Sequence, residues 1–256
     1  MITHAAAALR LAESTRAPVA QLSASYPELT VADAYRIQAE NIQRRERAGA
    51  VPVGHKIGLT SVAMQEQMNV AEPDSGILLD DMIIADGASL AIERLIVPRI
   101  EAELGFWLGT DLAGPEVSVA DAEAAIASVC LALEIIDSRF KDWRISLVDT
   151  VADNASSAFA VPGRTIAFSS ALDRKGELVT LRVNGSVAAV GPGSAVLGDP
   201  IEAVAWLARR LSATGDSLRA GQLIMTGAVH ASVVLEPGTD IEASSPGLPP
   251  VRLYAV

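Results

Sequence analysis

The residues best placed to do chemistry together lie in Pro98-Arg99-Ile100-Glu101-Ala102-Glu103-Leu104-Gly105-Phe106-Trp107-Leu108. Read as a β-strand, this segment puts Ile100, Ala102, Leu104 and Phe106 on one face and Glu101 and Glu103 on the other. Two carboxylates roughly 7 Å apart at the backbone, from a rise of ~3.4 Å per residue, repel each other, and burial adds a desolvation penalty. A divalent cation between them removes both problems. A solvated Glu-x-Glu face is the plain alternative, and a third acid weighs against it. Val129-Cys130-Leu131-Ala132-Leu133-Glu134-Ile135-Ile136 is an apolar run broken only by Glu134. Such a run suits a strand buried on both faces, where a lone carboxylate needs a cation, a partner or a proton. Three acids form a hard oxygen site suited to Mg²⁺, Mn²⁺ or Ca²⁺ rather than Zn²⁺.

Lys56, inside the apolar Val51–Leu59 segment, is a candidate base or cation; a strand-end lysine reaching water is its bland counterpart. Strand alternation sends His55 to the opposite face, and Lys56 is the one expected to face inward. Asp74, in the turn-forming Glu72-Pro73-Asp74-Ser75-Gly76, is a candidate general base or a plain turn former. Asp137 and Arg139 are expected to pair with each other or with the site. Asn154, Ser156 and Ser157 are either donors to substrate oxygens or the cap of a helix running through Ala160, and His230 lies in a loop.

Composition narrows the function classes. The 256 residues allow one large domain or a domain with a small appendage. A formal charge of -11 disfavours nucleic acid and anionic membranes as partners. It leaves room for a small acidic substrate if a cation reverses the local sign. The single Cys130 excludes an intrachain disulfide framework and fits a reducing cytoplasm. The Ala-rich N-terminus lacks a basic leader, and Arg10, Glu13 and Arg16 interrupt it. No apolar stretch reaches membrane-spanning length.

The elements that must position these residues follow from periodicity and capping. Helices are expected over residues 2–15 and, with Thr30 as N-cap and Asp33 in the first turn, over 30–47. Residues 1–50 therefore read as a helical N-terminal appendage and 51–256 as the catalytic domain. A strand over 51–59, a short helix capped by Thr60-Ser61 and running through Met68, and short strands at 77–79 and 82–84 come next. A helix over 119–127 precedes the Glu134 strand. Asn184-Gly185 marks a hairpin between 178–183 and 187–190. Asp199-Pro200-Ile201-Glu202 opens a helix to about Ser212, and strands at 223–226, 233–235, 240–243 and 251–254 close the chain. Short strands with irregularly interspersed helices make this an α+β protein rather than a βαβ array. The third glycine of a dinucleotide-binding fingerprint is missing, as are a Walker loop and a Gly-x-Ser-x-Gly elbow.

Five segments, Gly54-His55-Lys56-Ile57-Gly58-Leu59-Thr60-Ser61, Glu72-Pro73-Asp74-x-Gly76, Pro98–Glu103, Leu133–Arg139 and Asp149–Ser157, together resemble the 2-keto-4-pentenoate hydratases of the fumarylacetoacetase-like superfamily. The resemblance covers nearly the whole chain in order. It implies a mixed β-roll or barrel-like core of the fumarylacetoacetase C-terminal type. It further implies Mg²⁺ or Mn²⁺ held by Glu101, Glu103 and Glu134, proton transfer by Lys56 and Asp74, and Ser156, Arg139 and Asp137 near the substrate. The implied activity is hydro-lyase chemistry, the metal-dependent hydration of a 2-hydroxy-2,4-dienoate to a 4-hydroxy-2-oxo acid in meta-cleavage aromatic catabolism. A homo-oligomer associated with a downstream aldolase completes the expectation. The rivals are a 4-oxalocrotonate decarboxylase, a hydratase of a longer 2-oxo-hept-3-ene-dioate, and an acylpyruvate hydrolase. A non-catalytic scaffold for a decarboxylase or aldolase is the rival from another class.

Overall fold

A computed structural model describes residues 1–61, 65, 70 and 72–256. The short helix expected through Met68 lies outside the described residues. Helix α1 (Ile2–Thr15) buries Ala5, Ala6, Leu9 and Ala12, and α2 is a single turn (Leu22–Ser25). Helix α3 (Val31–Arg47) starts where expected because Thr30 Oγ1 accepts the Asp33 amide at 3.1 Å while Asp33 bonds back to Thr30.

The strands form two mixed sheets. In the first, β1 (Pro52–Gly58), β2 (Asp74–Leu79), β4 (Arg99–Leu108), β5 (Ile126–Ile136), β6 (Ser157–Pro162) and β10 (Leu223–Ala228) run in the order β2-β1-β10-β4-β5-β6. Short β7 (Ile166–Ala167) pairs with β5, and β11 (Val233–Val234) with β4. Only β1 and β10 are parallel in this sheet. The second sheet has the order β3-β13-β12-β8-β9, with β3 Ser89–Leu90, β8 Leu178–Val183, β9 Ser186–Pro192, β12 Thr239–Ser244 and β13 Val251–Ala255. The hairpin expected at Asn184-Gly185 joins β8 to β9, both turn residues at positive φ.

The main core fills the space between the sheets with Ile100, Leu104 and Phe106 of β4, Leu131, Leu133 and Ile135 of β5, and Leu181, Ile241 and Leu253 of the second sheet. Helices α4 (Val119–Ala125) and α6 (Pro200–Ser212) add Ala122, Val204 and Leu207 to it. A second cluster joins α1, α2 and α3 to α5 (Leu147–Ala152) through Leu9, Leu22, Ile37, Phe140 and Val151. The N-terminal helices are therefore packed against the segment that follows β5.

Four local expectations need correction. Asp74-Ser75-Gly76 is not a turn but the start of β2, paired with β1 so that Ser75 stands opposite Ile57 and Asp74 opposite Gly58. Met82-Ile83-Ile84 is not a strand: Asp80–Met82 is a 3₁₀ turn held by Asp80 Oδ1, which accepts the Val51 and Asp81 amides. Ile83 makes only an isolated bridge to Ala160. The helix expected over 119–127 stops at Ala125, where the chain turns directly into β5. No helix runs through Ala160; Asn154, Ala155 and Ser156 all adopt positive φ (54°, 52° and 55°) in a tight turn that delivers the chain into β6. Left-handed backbone at three successive non-glycine residues is costly and persists only when surrounding contacts over-determine it.

Candidate active site

The two central strands bring the acids together. In the antiparallel β4–β5 ladder Glu101 stands opposite Glu134 and Glu103 opposite Ala132, so strand alternation places all three carboxylates on one face. Each contributes an oxygen to a group whose atoms all lie within 4.8 Å of one another. Glu103 and Glu134 are fully buried, and Glu101 is half-buried. The register between β10 and β4 shifts between Met225 and Ala228. Within that irregularity Gly227, at φ 106°, donates its amide to Glu103 Oε2 at 2.8 Å.

Lys56 and Asp74 reach the same place from the neighbouring hairpin. Lys56 Nζ lies 3.2 Å from Glu134 Oε2 and donates to the Ala155 carbonyl at 2.9 Å. Asp74 stands opposite Gly58 in the β1–β2 ladder, and its Oδ2 accepts from Thr150 Oγ1 at 2.9 Å. A Cβ built on Gly58 would fall 2.3 Å from Asp74 Oδ1 and 3.4 Å from Lys56 Nζ, so the bare glycine is what lets both groups close over the strand. His55 is buried on the other side of β1, as alternation requires.

The 154–156 turn supports this arrangement. The Asn154 side chain accepts the Ile77 amide and donates to the Ile77 carbonyl, pinning the turn to β2. From α3, Gln38 Nε2 donates to the Ser75 and Val151 carbonyls, tying the N-terminal helices to the strand that begins with Asp74. Ser156 is buried and its Oγ has no hydrogen-bond partner, while the Ser157 hydroxyl lies beside Glu134. Asp137 and Arg139 do not pair as expected. The Asp137 carboxylate accepts the Ile96 and Val97 amides. Arg139 binds Asp153 Oδ1 at 2.5 Å, the Asp153 carbonyl and the Ser157 carbonyl. Arg139 therefore braces the turn, while the Asp137 carboxylate holds the Ile96-Val97 segment. Thr150, Gly227 and the Ala155 carbonyl were not singled out from sequence. The first is one small polar residue among several, and the others act through backbone atoms.

Burial pushes the Glu101 carboxyl up to about 7, with the Glu134 charge adding to it. Burial, followed by Glu134, lifts Glu103 well above the carboxylate range. Burial also raises Glu134 and Asp74, although the Lys56 ammonium opposes both shifts. For Lys56 itself burial acts downward, but the charges of Glu134, Asp74, Glu101 and Glu103 outweigh it and keep the amine protonated.

The donor set fits a divalent metal ion. Glu103 Oε1 and Glu134 Oε1 are buried without a hydrogen-bond partner, and Glu134 Oε2 has only the Lys56 ammonium at 3.2 Å, an expensive condition for carboxylates unless a cation takes up their lone pairs. An all-oxygen set of three acids suits a hard ion.

Comparison with known proteins places this geometry in context. Residues 31–253 match the family model described as fumarylacetoacetate (FAA) hydrolase C-terminal. A 2-keto-4-pentenoate hydratase of Paraburkholderia xenovorans (strain LB400) is 44% identical over 249 residues, covering 97% of this chain and 93% of the relative. A 4-oxalocrotonate decarboxylase of Pseudomonas putida is 41% identical over 223 residues, covering 87% of this chain and 84% of the relative. The solved structure of 4-oxalocrotonate decarboxylase from Pseudomonas putida G7, complexed with magnesium and adipate, superposes with a TM-score of 0.96 at 36% identity, covering 100% of this chain and 97% of that one.

Proposed function

This chain belongs to the fumarylacetoacetate hydrolase C-terminal family, and on that premise we propose that it hydrates a 2-hydroxy-2,4-dienoate to a 4-hydroxy-2-oxo acid. The observation that carries the reading is the convergence of Glu101, Glu103 and Glu134 within 4.8 Å, beside a charged Lys56. The three glutamates would hold Mg²⁺ or Mn²⁺. When bound, the ion supplies Lewis-acid stabilisation of the negative charge that develops on the oxygens of a 2-oxo acid.

The reaction has two parts. A proton leaves the 2-hydroxyl and a proton is added at C5, giving the 2-oxo-3-enoate; water then adds across C3 and C4, hydroxyl to C4 and proton to C3. Asp74 is assigned as the base, because Thr150 holds one of its oxygens and leaves the other bare. Lys56, oriented by the Ala155 carbonyl, is the acid or electrostatic partner. The bare hydroxyl of Ser156 is assigned to the substrate. Arg139, whose hydrogen bonds go to Asp153 and Ser157, is assigned to bracing the turn, and Asp137, which accepts from Ile96 and Val97, to holding that segment.

The rest of the assignment follows from this chemistry. Residues 1–50 serve as the supporting appendage and 51–256 as the catalytic part. Edge strand β9 exposes Val187 and Val190, a surface suited to a second copy in a homo-oligomer. A 4-hydroxy-2-oxo acid is an aldol, so an aldolase is the class of enzyme that would consume it and the expected associate. The cytoplasmic setting rests on the single buried, free Cys130.

The test is loss of dienoate absorbance with purified protein and 2-hydroxypenta-2,4-dienoate, with Mg²⁺ or Mn²⁺ and again with chelator. Metal-dependent loss with formation of the 4-hydroxy-2-oxo acid is expected; no loss under either condition refutes the assignment. The likeness to the decarboxylase structure supports a second reading, release of CO₂ from a 2-oxo-hex-3-enedioate. Metal-dependent CO₂ release without hydration of the dienoate would put that reading first.

A further inference from the structure

A half-enclosed cavity of about 370 Å³ lies between α1, α3 and the segment that carries Arg139 and the 153–157 turn. Its lining includes none of Glu101, Glu103, Glu134, Lys56 and Asp74, so the proposed hydratase reaction leaves it without a role. The volume falls within the ~300–1,000 Å³ usual for small-molecule sites.

Its charge is unusual for a chain of formal charge -11. Four arginines, Arg10, Arg44, Arg45 and Arg139, face two acids, Glu13 and Asp153. Arg139 is committed to Asp153, and Arg45 to Asp81 at 2.6 Å. Arg10 and Arg44 have no acid partner among the described residues; Arg10 Nη1 bonds only to Asn41 Oδ1, at 2.6 Å. Two guanidinium groups against the single carboxylate of Glu13 leave one positive charge in excess. Basic residues in the last turn of α3 suit the helix dipole, which explains Arg44 and Arg45 by themselves. The dipole does not explain Arg10, which reaches the same cavity from α1. The remaining wall is mixed: Gln38, Asn41, Asn154 and Ser157 are polar, while Leu9, Ile42 and Ala152, all buried, and Ala48 at the exposed rim form an apolar patch.

We propose that this cavity is a second ligand site, for a small aliphatic monocarboxylate. Arg10 and Arg44 take the carboxylate as hydrogen-bonding forks, and Leu9, Ile42 and Ala152 cover the carbon chain. Inorganic phosphate would match the guanidinium groups but gain nothing from the apolar patch. Asp153 and Asn154 line the cavity, and Ala155, the next residue, orients Lys56. An occupant therefore sits one residue from a contact of the proposed active site.

The test is calorimetric titration of the full-length protein with pentanoate, in magnesium-loaded and in chelator-treated form. Saturable binding of equal affinity in both forms is expected, because the cavity shares no residue with the acidic triad. The neutral pentanamide should not bind. Arg10→Ala with Arg44→Ala should weaken pentanoate binding at least about tenfold, the range of a charge-assisted hydrogen bond. Ala48→Trp, at an exposed rim position, should block the mouth while retaining the charges, with circular dichroism verifying the fold of each variant. The proposal is overturned by absence of saturation, by affinity that requires Mg²⁺, or by affinity that survives both variants. Phosphate binding as tightly as pentanoate would overturn the monocarboxylate assignment.

Discussion

Glu101 and Glu134 stand directly opposite each other across the β4–β5 ladder, two carboxylates at a cross-strand position where like charges repel. Glu103 is two residues along the same face, and Lys56 is the one cation in ion-pair contact with the group among the described residues. Three acids against one ammonium cannot all ionise cheaply in a buried setting, and the raised Glu101 and Glu103 carboxyls express that cost. The site therefore has two measurable states, strained without a metal ion and relaxed with one.

Glu103→Gln separates them. The substitution removes a buried carboxyl whose ionised form is opposed by burial and by Glu134, so at alkaline pH, where Glu103 ionises, the chelator-treated variant should be more stable than the parent. A gain of about 1–3 kcal/mol is expected, near 2–4 °C in Tm per kcal/mol for a chain of this size. Mg²⁺ should raise the Tm of the parent, by ~2.7 kcal/mol of stability at a hundredfold excess over Kd, and leave the variant almost unmoved. Thermal melts with and without Mg²⁺ check both halves, and a variant that Mg²⁺ still stabilises as strongly as the parent would contradict the ligand assignment.

Lys56→Met acts in the opposite direction. Removing the ammonium leaves Glu134 buried without its counter-charge, a loss of about 3–5 kcal/mol for a broken buried pair. Turnover should fall at least ~100-fold, as for a lost proton-handling group. Because Mg²⁺ neutralises the same carboxylate, the stability defect should shrink when the ion is added. Urea unfolding in the two conditions measures this.

Gly58→Ala probes Asp74 without touching its charge. The new methyl carbon would fall 2.3 Å from Asp74 Oδ1, forcing the carboxylate to swing away. Misplacement of about 1 Å in a positioned group costs on the order of 100-fold in rate. Metal affinity should stay at the parental value, since no triad member is moved. Loss of turnover together with loss of Mg²⁺ binding would instead point to a general collapse of the site.

His55 gives a pH dependence that is independent of the acids. Burial lowers its pKa from 6.5 to about 4, against a small opposing effect of Asp216. The unfolded chain thus binds a proton between those values that the folded chain refuses. The stability linked to neutral His55 is complete above pH 6.5 and is lost as pH falls toward 4, by about 2 kcal/mol between pH 7.5 and pH 5. In a His55→Asn variant, unfolding free energy should fall less over that interval by this amount. Equal slopes for parent and variant would show that His55 titrates normally in the folded protein.

Much of the architecture is written locally. Alternation along Arg99–Leu108 puts Glu101 and Glu103 on the face opposite Ile100, Ala102, Leu104 and Phe106. The apolar run around Glu134 has the composition of a fully buried strand, and the structure has one there. Thr30 with Asp33, Asp199 before Pro200, and Asn184-Gly185 set their caps and turn through contacts a few residues long. The helix-cap alternative for 154–157 fails because nothing in Asn-Ala-Ser signals three left-handed residues; Ile77 and Lys56, far away in the chain, hold the turn. Asp137 and Arg139, expected to pair with each other or with the site, take partners that are set by how the chain returns after β5.

By itself, then, the sequence determined which side chains share a face, because strand and helix periods act between neighbours in the chain. It also marked the acids that burial would make costly. Only the tertiary structure decided that Glu101 faces Glu134 and that Lys56 closes on them. It likewise decided that Thr150 holds Asp74 and that Gly227 offers its amide to Glu103. Those relations depend on the registers of β4 with β5, β1 with β2 and β10 with β4. A register is selected by the packing of the whole core, and no single segment carries that information.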